Sequence, residues 1–392
     1  VPVRRYRYSK LRWRVLVHAL DFVGTILMAV ARRLRPARSV VDPRSILIVQ
    51  LDHMGDAVLT TPMLPRLRAA YPLASIDVLA SPSNRAIFES DPHVDRVMVA
   101  ERNWFERGSK RRALGSAVWR LGRSLRPRRY DLGIDVRGDV LTVLVLALAG
   151  VKRRVGWAMG GGGFLLTDVA AWEPGRHEVR SRMALLDCLG IASDDAPRVS
   201  VGVADRDRSR VAGMLREAWP DRSRMRSRSS RKVGARSSRD RLSDPSPRPR
   251  KLAPIDPEGL HAGRFGEVAP LLAVHLGAGT SAKRWPSRHW RGLIERFLGD
   301  GWRVVIVGGS DDRVFSADLP EHPSLRDWSG RLAAMETAAL LERADLFIGS
   351  DSGPAHLAAC AGVPSVVLFS GTNRVGQWRP WSRRSLVLRR RV

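Results

Sequence analysis

The sequence predicts an α/β protein made of two parallel-sheet halves, and three observations carry that prediction. From residue 45 short apolar runs alternate with helical patterns, the alternation stops across residues 206–266, and from residue 268 it resumes with the same rhythm. Strands that alternate with helices read as a parallel sheet covered on both faces.

The first run, Ser45-Ile46-Leu47-Ile48-Val49-Gln50, is apolar nearly throughout, as a strand buried on both faces should be. PMLPRLRAAYP suits a short helix that Pro72 ends, and SIDVLAS is the next strand. NRAIFESDP is helical in pattern and leads to DRVMVA; YDLGIDV is a further strand, with the apolar helix VLTVLVLALAG behind it. KRRVGW, the glycine-rich turn MGGGGF and the helix HEVRSRMALLDCLGI follow. The tetraglycine reads as a flexible loop or a phosphate cradle, although no lysine or Ser/Thr follows it as a P-loop requires. The second half runs PLLAVHLGA, SRHWRGLIERFLGDG, WRVVIVGGS, a helix around METAALLERA, DLFIGSDSG, PAHLAACAG and VPSVVLFSG. Two Rossmann-like halves result, over residues 45–205 and 268–392, and the cleft between them is the expected site.

The formal charge of +28 invites a nucleic-acid reading, but its placement argues otherwise. Residues 1–38 carry +9 and residues 222–251 carry +10, which leaves +9 over the remaining 324. The excess is thus concentrated in two appendages. Residues 206–266, with the tract RSRMRSRSSRKVGARSSRDRLSDPSPRPRK, have too few apolar residues to order themselves and read as a disordered basic linker or insertion. Residues 1–40 form a basic amphipathic segment whose apolar stretch, Val15 to Ala31, is short for a membrane span and contains His18 and Asp21. It suits a helix lying in an anionic membrane interface, a span, or a helix packed on the protein. Two cysteines, Cys188 and Cys360, argue against a disulfide scaffold or a zinc site.

Strand ends carry the chemistry. In DLFIGSDSGPAHLAACAG a strand ends in Ser350-Asp351-Ser352-Gly353, and Pro354 stands where a first helical residue is favoured. The N–H groups of Ser352, Gly353 and Ala355 and the helix dipole make an anion site suited to phosphate, to which His356 adds a donor. The same letters also serve as ordinary helix punctuation. Upstream, HLGAGTSAKRWP places Gly277, Gly279, Thr280 and Ser281 before Lys283 and Arg284, so that backbone approaches a ligand closely and a cation meets phosphate oxygens. Two such loops in one half point to a nucleoside diphosphate, with Ser310-Asp311-Asp312 as a contact to its ribose. In the first half Asp52 and His53 are acceptor contacts or turn residues. Asp135 and Arg137 face the same cleft, and Arg137 suits an anionic acceptor group or a surface ion pair.

DHMGDAVLTTP, YDLGIDVRGD, KRRVGW with HEVRSRMALLDCLG, GAGTSAKRWPSRHW and FIGSDSGPAHLAACAGVPSVVLF together resemble, in order and spacing, glycosyltransferase family 9, the ADP-heptose:lipopolysaccharide heptosyltransferases. The resemblance covers about residues 45–205 and 268–382. It implies a GT-B fold in which the first domain holds the acceptor and the second the sugar nucleotide. Transfer would invert the anomeric centre without a metal or cofactor, the nucleotide sugar being a substrate. It maps the general base onto Asp56, the diphosphate lysine onto Lys283, and the nucleotide site onto Asp351, Ser352, Gly353 and His356. A lipid-linked acceptor at the inner face of the cytoplasmic membrane is implied, with no specific nucleic acid as partner. The sequence departs from the family in its Arg/Ser insertion, in Gln50-Leu51-Asp52-His53, and in stopping at Val392 where the resemblance implies further C-terminal helices. Competing readings are another GT-B enzyme, such as a nucleotide-sugar epimerase, and a basic nucleic-acid-binding protein.

Overall fold

Alternate residues of the first strand go to opposite faces: Ile46 and Ile48 join one core, Leu47 and Val49 another, and all four are fully buried. Such a strand must lie inside a sheet covered twice. The structure, a computed structural model, describes residues 11–34, 41–101, 104, 114–192, 196–220 and 269–389.

The first sheet contains β1 (Ser45–Gln50), β2 (Ser75–Ala80), β3 (Arg96–Val99), β4 (Leu132–Asp135), β5 (Arg153–Gly156) and β6 (Asp168–Val169). All pairings are parallel and the order is β3-β2-β1-β4-β5-β6. Ile48 pairs with Val78 on one side and Ile134 on the other. On the Ile46/Ile48 face lie α2 (Met54–Thr60), α3 (Met63–Ala70), α4 (Arg85–Glu89) and α7 (Glu178–Asp187); on the Leu47/Val49 face lie α5 (Leu114–Leu125) and α6 (Val140–Leu148). Truncating Ile48 to alanine at this doubly covered position costs about 2–5 kcal/mol.

The second sheet repeats the plan with β7 (Leu271–His275), β8 (Arg303–Val307), β9 (Leu325–Asp327), β10 (Leu346–Ser350), β11 (Ser365–Phe369) and β12 (Ser385–Arg389), ordered β12-β11-β10-β7-β8-β9. One face is covered by α9 (Ser287–Gly299), whose Trp290, Ile294 and Leu298 meet Leu272 and Val274. The other carries α10 (Ala334–Leu341) and α11 (Gly353–Ala361), and its apolar cluster is continuous with that of the first domain through contacts of α2 with α11 and of α4 with α10.

Each sheet reverses its winding beside its first strand, at β1/β4 and at β7/β10. Ligands of open α/β sheets bind at the carboxyl ends of strands at such switch points. Those ends deliver residues 50–56, 135–139, 275–283 and 350–356.

One boundary needs correction. The linker was expected to begin at residue 206, but α8 (Asp205–Ala218) is a regular helix packed on α10 of the second domain. Eight of its fourteen residues are polar or charged, yet Val211 is fully buried, Arg208 pairs with Glu342 at 2.8 Å, and Trp219 donates to the Pro323 carbonyl at 3.1 Å. The remainder of the expected linker, residues 221–266, lies outside the described residues.

The N-terminal segment forms α1 (Leu11–Leu34), which packs along one side on the turn at Gly163–Leu165. No helix of the described residues is long and apolar enough to cross a membrane. The tetraglycine is a docking loop for this helix: Gly162 N–H donates to Asp21 Oδ1 at 2.8 Å. That use replaces the phosphate-cradle alternative.

Candidate active site

The first wall of the cleft grows from the end of β1. Asn84 fixes the loop by donating to the carbonyls of Gln50 (3.1 Å) and Asp52 (2.8 Å), and Ser81 Oγ donates to Asp52 as well. His53, exposed, precedes α2, whose first turn carries Gly55 and Asp56. Asp56 Oδ1 accepts from Arg182 at 3.2 Å. Arg182 is 2 % exposed and also binds Glu178 and, at 2.8 Å, Thr60 Oγ1. A buried guanidinium with three oxygen partners holds the Asp56 carboxylate in one orientation.

Asp52 and Arg137 form an ion pair, with Asp52 3 % and Arg137 18 % exposed. Arg137 is therefore not a surface residue, and its charge is shared with a buried carboxylate.

Asp135 departs from expectation. It is fully buried and accepts from the N–H groups of Arg137 (3.3 Å) and Gly138 (2.8 Å), so it shapes the loop rather than lining the cleft. Burial pushes its pKa up to about 7, against hydrogen bonds from Thr142, Gly138 and Arg137 that act to lower it. Alternation along a short strand leaves its last side chain on a covered face.

The second wall comes from the ends of β7 and β10. His275 is buried; its Nε2 donates to Asp312 at 3.2 Å and its Nδ1 lies 2.9 Å from Ser352 Oγ. Asp312 also accepts from Gly309 N–H at 2.8 Å and closes over Gly277, where any Cβ would overlap its carboxylate. Despite burial, which acts to raise it, the His275 hydrogen bond and charge hold the Asp312 carboxyl below its usual range. Gly277 and Asp312 thus build the loop from beneath, while Asp311, Gly279 and Ser281 are exposed. Lys283 Nζ donates to Asp351 Oδ2 at 2.7 Å, and Asn373 Nδ2 donates to the same oxygen at 2.6 Å. Ser352 precedes α11 as its N-cap and makes no side-chain cap bond.

The walls meet where α2 and α11 begin. The His356 ring, in the first turn of α11, lies on Gly55, and Met54 lies beside Gly353. His356 is 5 % exposed, and among the described residues its Nδ1 has no hydrogen-bond partner. Burial pushes its pKa down to about 4, although the Asp351 charge acts to raise it. It is neutral at pH 7, so its expected role as a phosphate donor rests on a neutral ring N–H. A second tie lies behind: Gln377 donates to Glu178 Oε1 at 2.7 Å, His177 Nε2 to the Arg379 carbonyl at 2.9 Å, and Trp381 Nε1 to the Pro197 carbonyl at 2.6 Å.

The structure thus brings Asp56, Lys283, Asp351, Ser352, Gly353 and His356 to one junction, with Asp52, His53 and Arg137 on its first-domain rim, and leaves Asp135 underneath. Sequence reasoning missed Arg182, Glu178, Asn373 and Gln377. Glu178 and Arg182 stand at i and i+4, a spacing that could have marked them as a pair. Nothing local marks Asn373.

Two Rossmann-like domains with four strand-end loops converging on one cleft define a GT-B arrangement. The profile of glycosyltransferase family 9 (heptosyltransferase) matches residues 118–391, and the chain belongs to that family. It is 25% identical over 337 residues to lipopolysaccharide heptosyltransferase 3 of Escherichia coli, covering 84% of each chain. Among solved structures, the glycosyl transferase family 9 protein of Veillonella parvula DSM 2008 superposes with a TM-score of 0.67 at 19% identity, over 89% of this chain and 87% of that one. The E. coli ADP-heptose lps heptosyltransferase II gives 0.61 at 21% identity, over 88% and 90%. Membership makes the chain a glycosyltransferase by class, and the epimerase reading falls away.

Proposed function

We propose that the chain transfers heptose, with inversion, from ADP-heptose to a lipopolysaccharide core or similar lipid-linked glycan at the inner face of the cytoplasmic membrane. The names of its relatives support the donor and acceptor classes. The observation that carries the mechanism is the contact of Gly55 with His356, which brings the turn bearing Asp56 against the N-terminus of α11.

In this reading an acceptor hydroxyl attacks the anomeric carbon, the bond from that carbon to the diphosphate oxygen breaks, and the hydroxyl proton passes to Asp56. A positioned base contributes about 10²–10⁴-fold. The leaving ADP gains charge as its bond breaks, so Lys283 and the α11 N-terminus stabilise the transition state more than the ground state. Donor diphosphate competes with Asp351 for Lys283, and Asn373 stays with Asp351 when Lys283 turns to phosphate. His53 and Arg137 contact the acceptor from the first domain, and Asp52, buried beneath them, holds Arg137.

The test is a donor screen. The purified chain is given ADP-heptose, GDP-sugars and UDP-sugars with a deacylated core oligosaccharide, and products are weighed by mass spectrometry. A gain of one heptose from ADP-heptose alone, with an inverted anomeric signal in proton NMR, is expected. Transfer only from another nucleotide sugar would replace the donor assignment; retention would remove Asp56 as base.

A further inference from the structure

Helix α1 turns only a narrow stripe inward and leaves most of its apolar side chains outside. Val17, Asp21 and Gly24 recur at i, i+4 and i+7 and form one stripe, and that stripe faces the protein. Asp21, 3 % exposed, accepts from Gly162 N–H; Val17 abuts Gly161; and a Cβ on Gly24 would stand 2.6 Å from the Phe164 ring. The opposite side carries Leu20, Phe22, Val23, Ile26, Leu27 and Val30, each 50–68% exposed. A surface helix of a water-soluble domain normally does the reverse.

We infer that this outward face of α1 is a docking surface for an anionic lipid bilayer. Charge identifies the occupant. Residues 1–38 hold ten Arg and Lys, grouped before and after the apolar stretch, and their only acid is Asp21, which the tetraglycine loop sequesters. An apolar face bounded at both ends by cations enters the headgroup boundary of an anionic membrane, whereas a second copy would bring like charges together. The bond to Gly162 fixes which side points outward.

The position of the helix links docking to transfer, and this part rests on the reading of a lipid-linked acceptor. The loop that receives Asp21 begins at Gly160, which bridges to Asp139, two residues from Arg137 and its pair with Asp52. The bilayer therefore meets the rim of the first domain where the acceptor residues stand.

Flotation of the full chain with vesicles tests the surface directly. Phosphatidylcholine vesicles containing phosphatidylglycerol should carry the protein and phosphatidylcholine alone should carry much less. The double variant Phe22→Asp/Ile26→Asp should bind the anionic vesicles at least about tenfold more weakly, while turnover on a deacylated acceptor in solution stays within about twofold. Absence of binding to anionic vesicles, or equal binding by the variant, overturns the inference. So does a size-exclusion result in which the wild type is a dimer, the variant a monomer, and the two bind vesicles alike. Binding is read without any transfer assay, so failure of the proposed reaction leaves it standing or falling by itself. Gly24→Leu, which displaces Phe164 and unseats the helix, should keep vesicle binding but lower transfer to a vesicle-embedded acceptor relative to the soluble one. Equal loss on both acceptors would overturn the positional link.

Discussion

Gly55 and His356 meet across the interdomain cleft, so closely that a methyl group on Gly55 would stand 2.8 Å from His356 Cδ2. The glycine of the Gly-Asp motif is thus needed for what it leaves out. Gly55→Ala should displace the imidazole, part the two helix N-termini and cost about 1–3 kcal/mol in unfolding free energy. Turnover should fall as well. In a double-mutant cycle with His356→Ala the two effects should be strongly non-additive, because the second change removes the atom the first one meets. Additive effects would show that the contact is incidental.

Asp56→Asn keeps the shape of the turn and removes the proton acceptor. Turnover should drop at least about a hundredfold, with donor affinity by calorimetry within about twofold of wild type. A near-normal rate would remove Asp56 from the reaction.

Lys283→Ala takes away the cation expected at the diphosphate. Donor binding should weaken by about tenfold or more, as for loss of a charge-assisted hydrogen bond, and turnover should fall with it. Unchanged affinity would leave Lys283 with only its bond to Asp351.

Arg182 hydrogen-bonds to Asp56, the base of the proposed reaction, and in that reading acts as a positioning residue. Arg182→Met leaves the carboxylates of Asp56 and Glu178 without their shared cation, at a cost of order 3 kcal/mol in stability. Arg182→Lys retains charge but not the guanidinium fork. The Lys variant should therefore recover most of the stability while kcat stays depressed about tenfold and KM for the donor is nearly unchanged. If kcat recovers in step with stability, the role is structural alone.

His356 makes stability depend on pH. A histidine in the unfolded chain protonates near pH 6.5, whereas buried His356 resists until about pH 4. Between those values the unfolded state holds the extra proton, so stability is intact above the window and falls as pH is lowered through it. The loss approaches about 3 kcal/mol at the acid end. Urea midpoints should drop between pH 7 and pH 5 in the wild type and by less in His356→Gln; equal slopes would place the sensitivity elsewhere.

The sheets were legible because their strands are apolar on both faces, and a run such as Ile46 to Val49 admits few other readings. Asp351, Ser352 and Gly353 were legible because a strand end, a glycine and a helix start lie within a few letters. What the letters hid depends on distance in the chain. The Arg182–Asp56 pair spans 126 positions, and the same Glu178-to-Arg182 spacing would occur on a solvated helix. Asp135 looked like a cleft residue because a strand end was correctly located, but its facing is set by the pleat and the cover of α6. Helix α8 reads as part of the linker because its first six residues are all polar; Val211, Met214 and Leu215, which pack it on the core, come only in its second half.

The placement of α8 also says where one half could be exchanged for another. Val201 and Val203 pack into the shared core and Ser200 N–H donates to Thr61 of the first domain, while α8 packs on α10 of the second. A hybrid joining this first half to a relative's second half would keep both bodies whole only if spliced around Ala204. A splice in the Arg/Ser tract would graft α8 onto a partner helix it has never matched, exposing Val211 and leaving the Arg208 and Glu342 charges unmet.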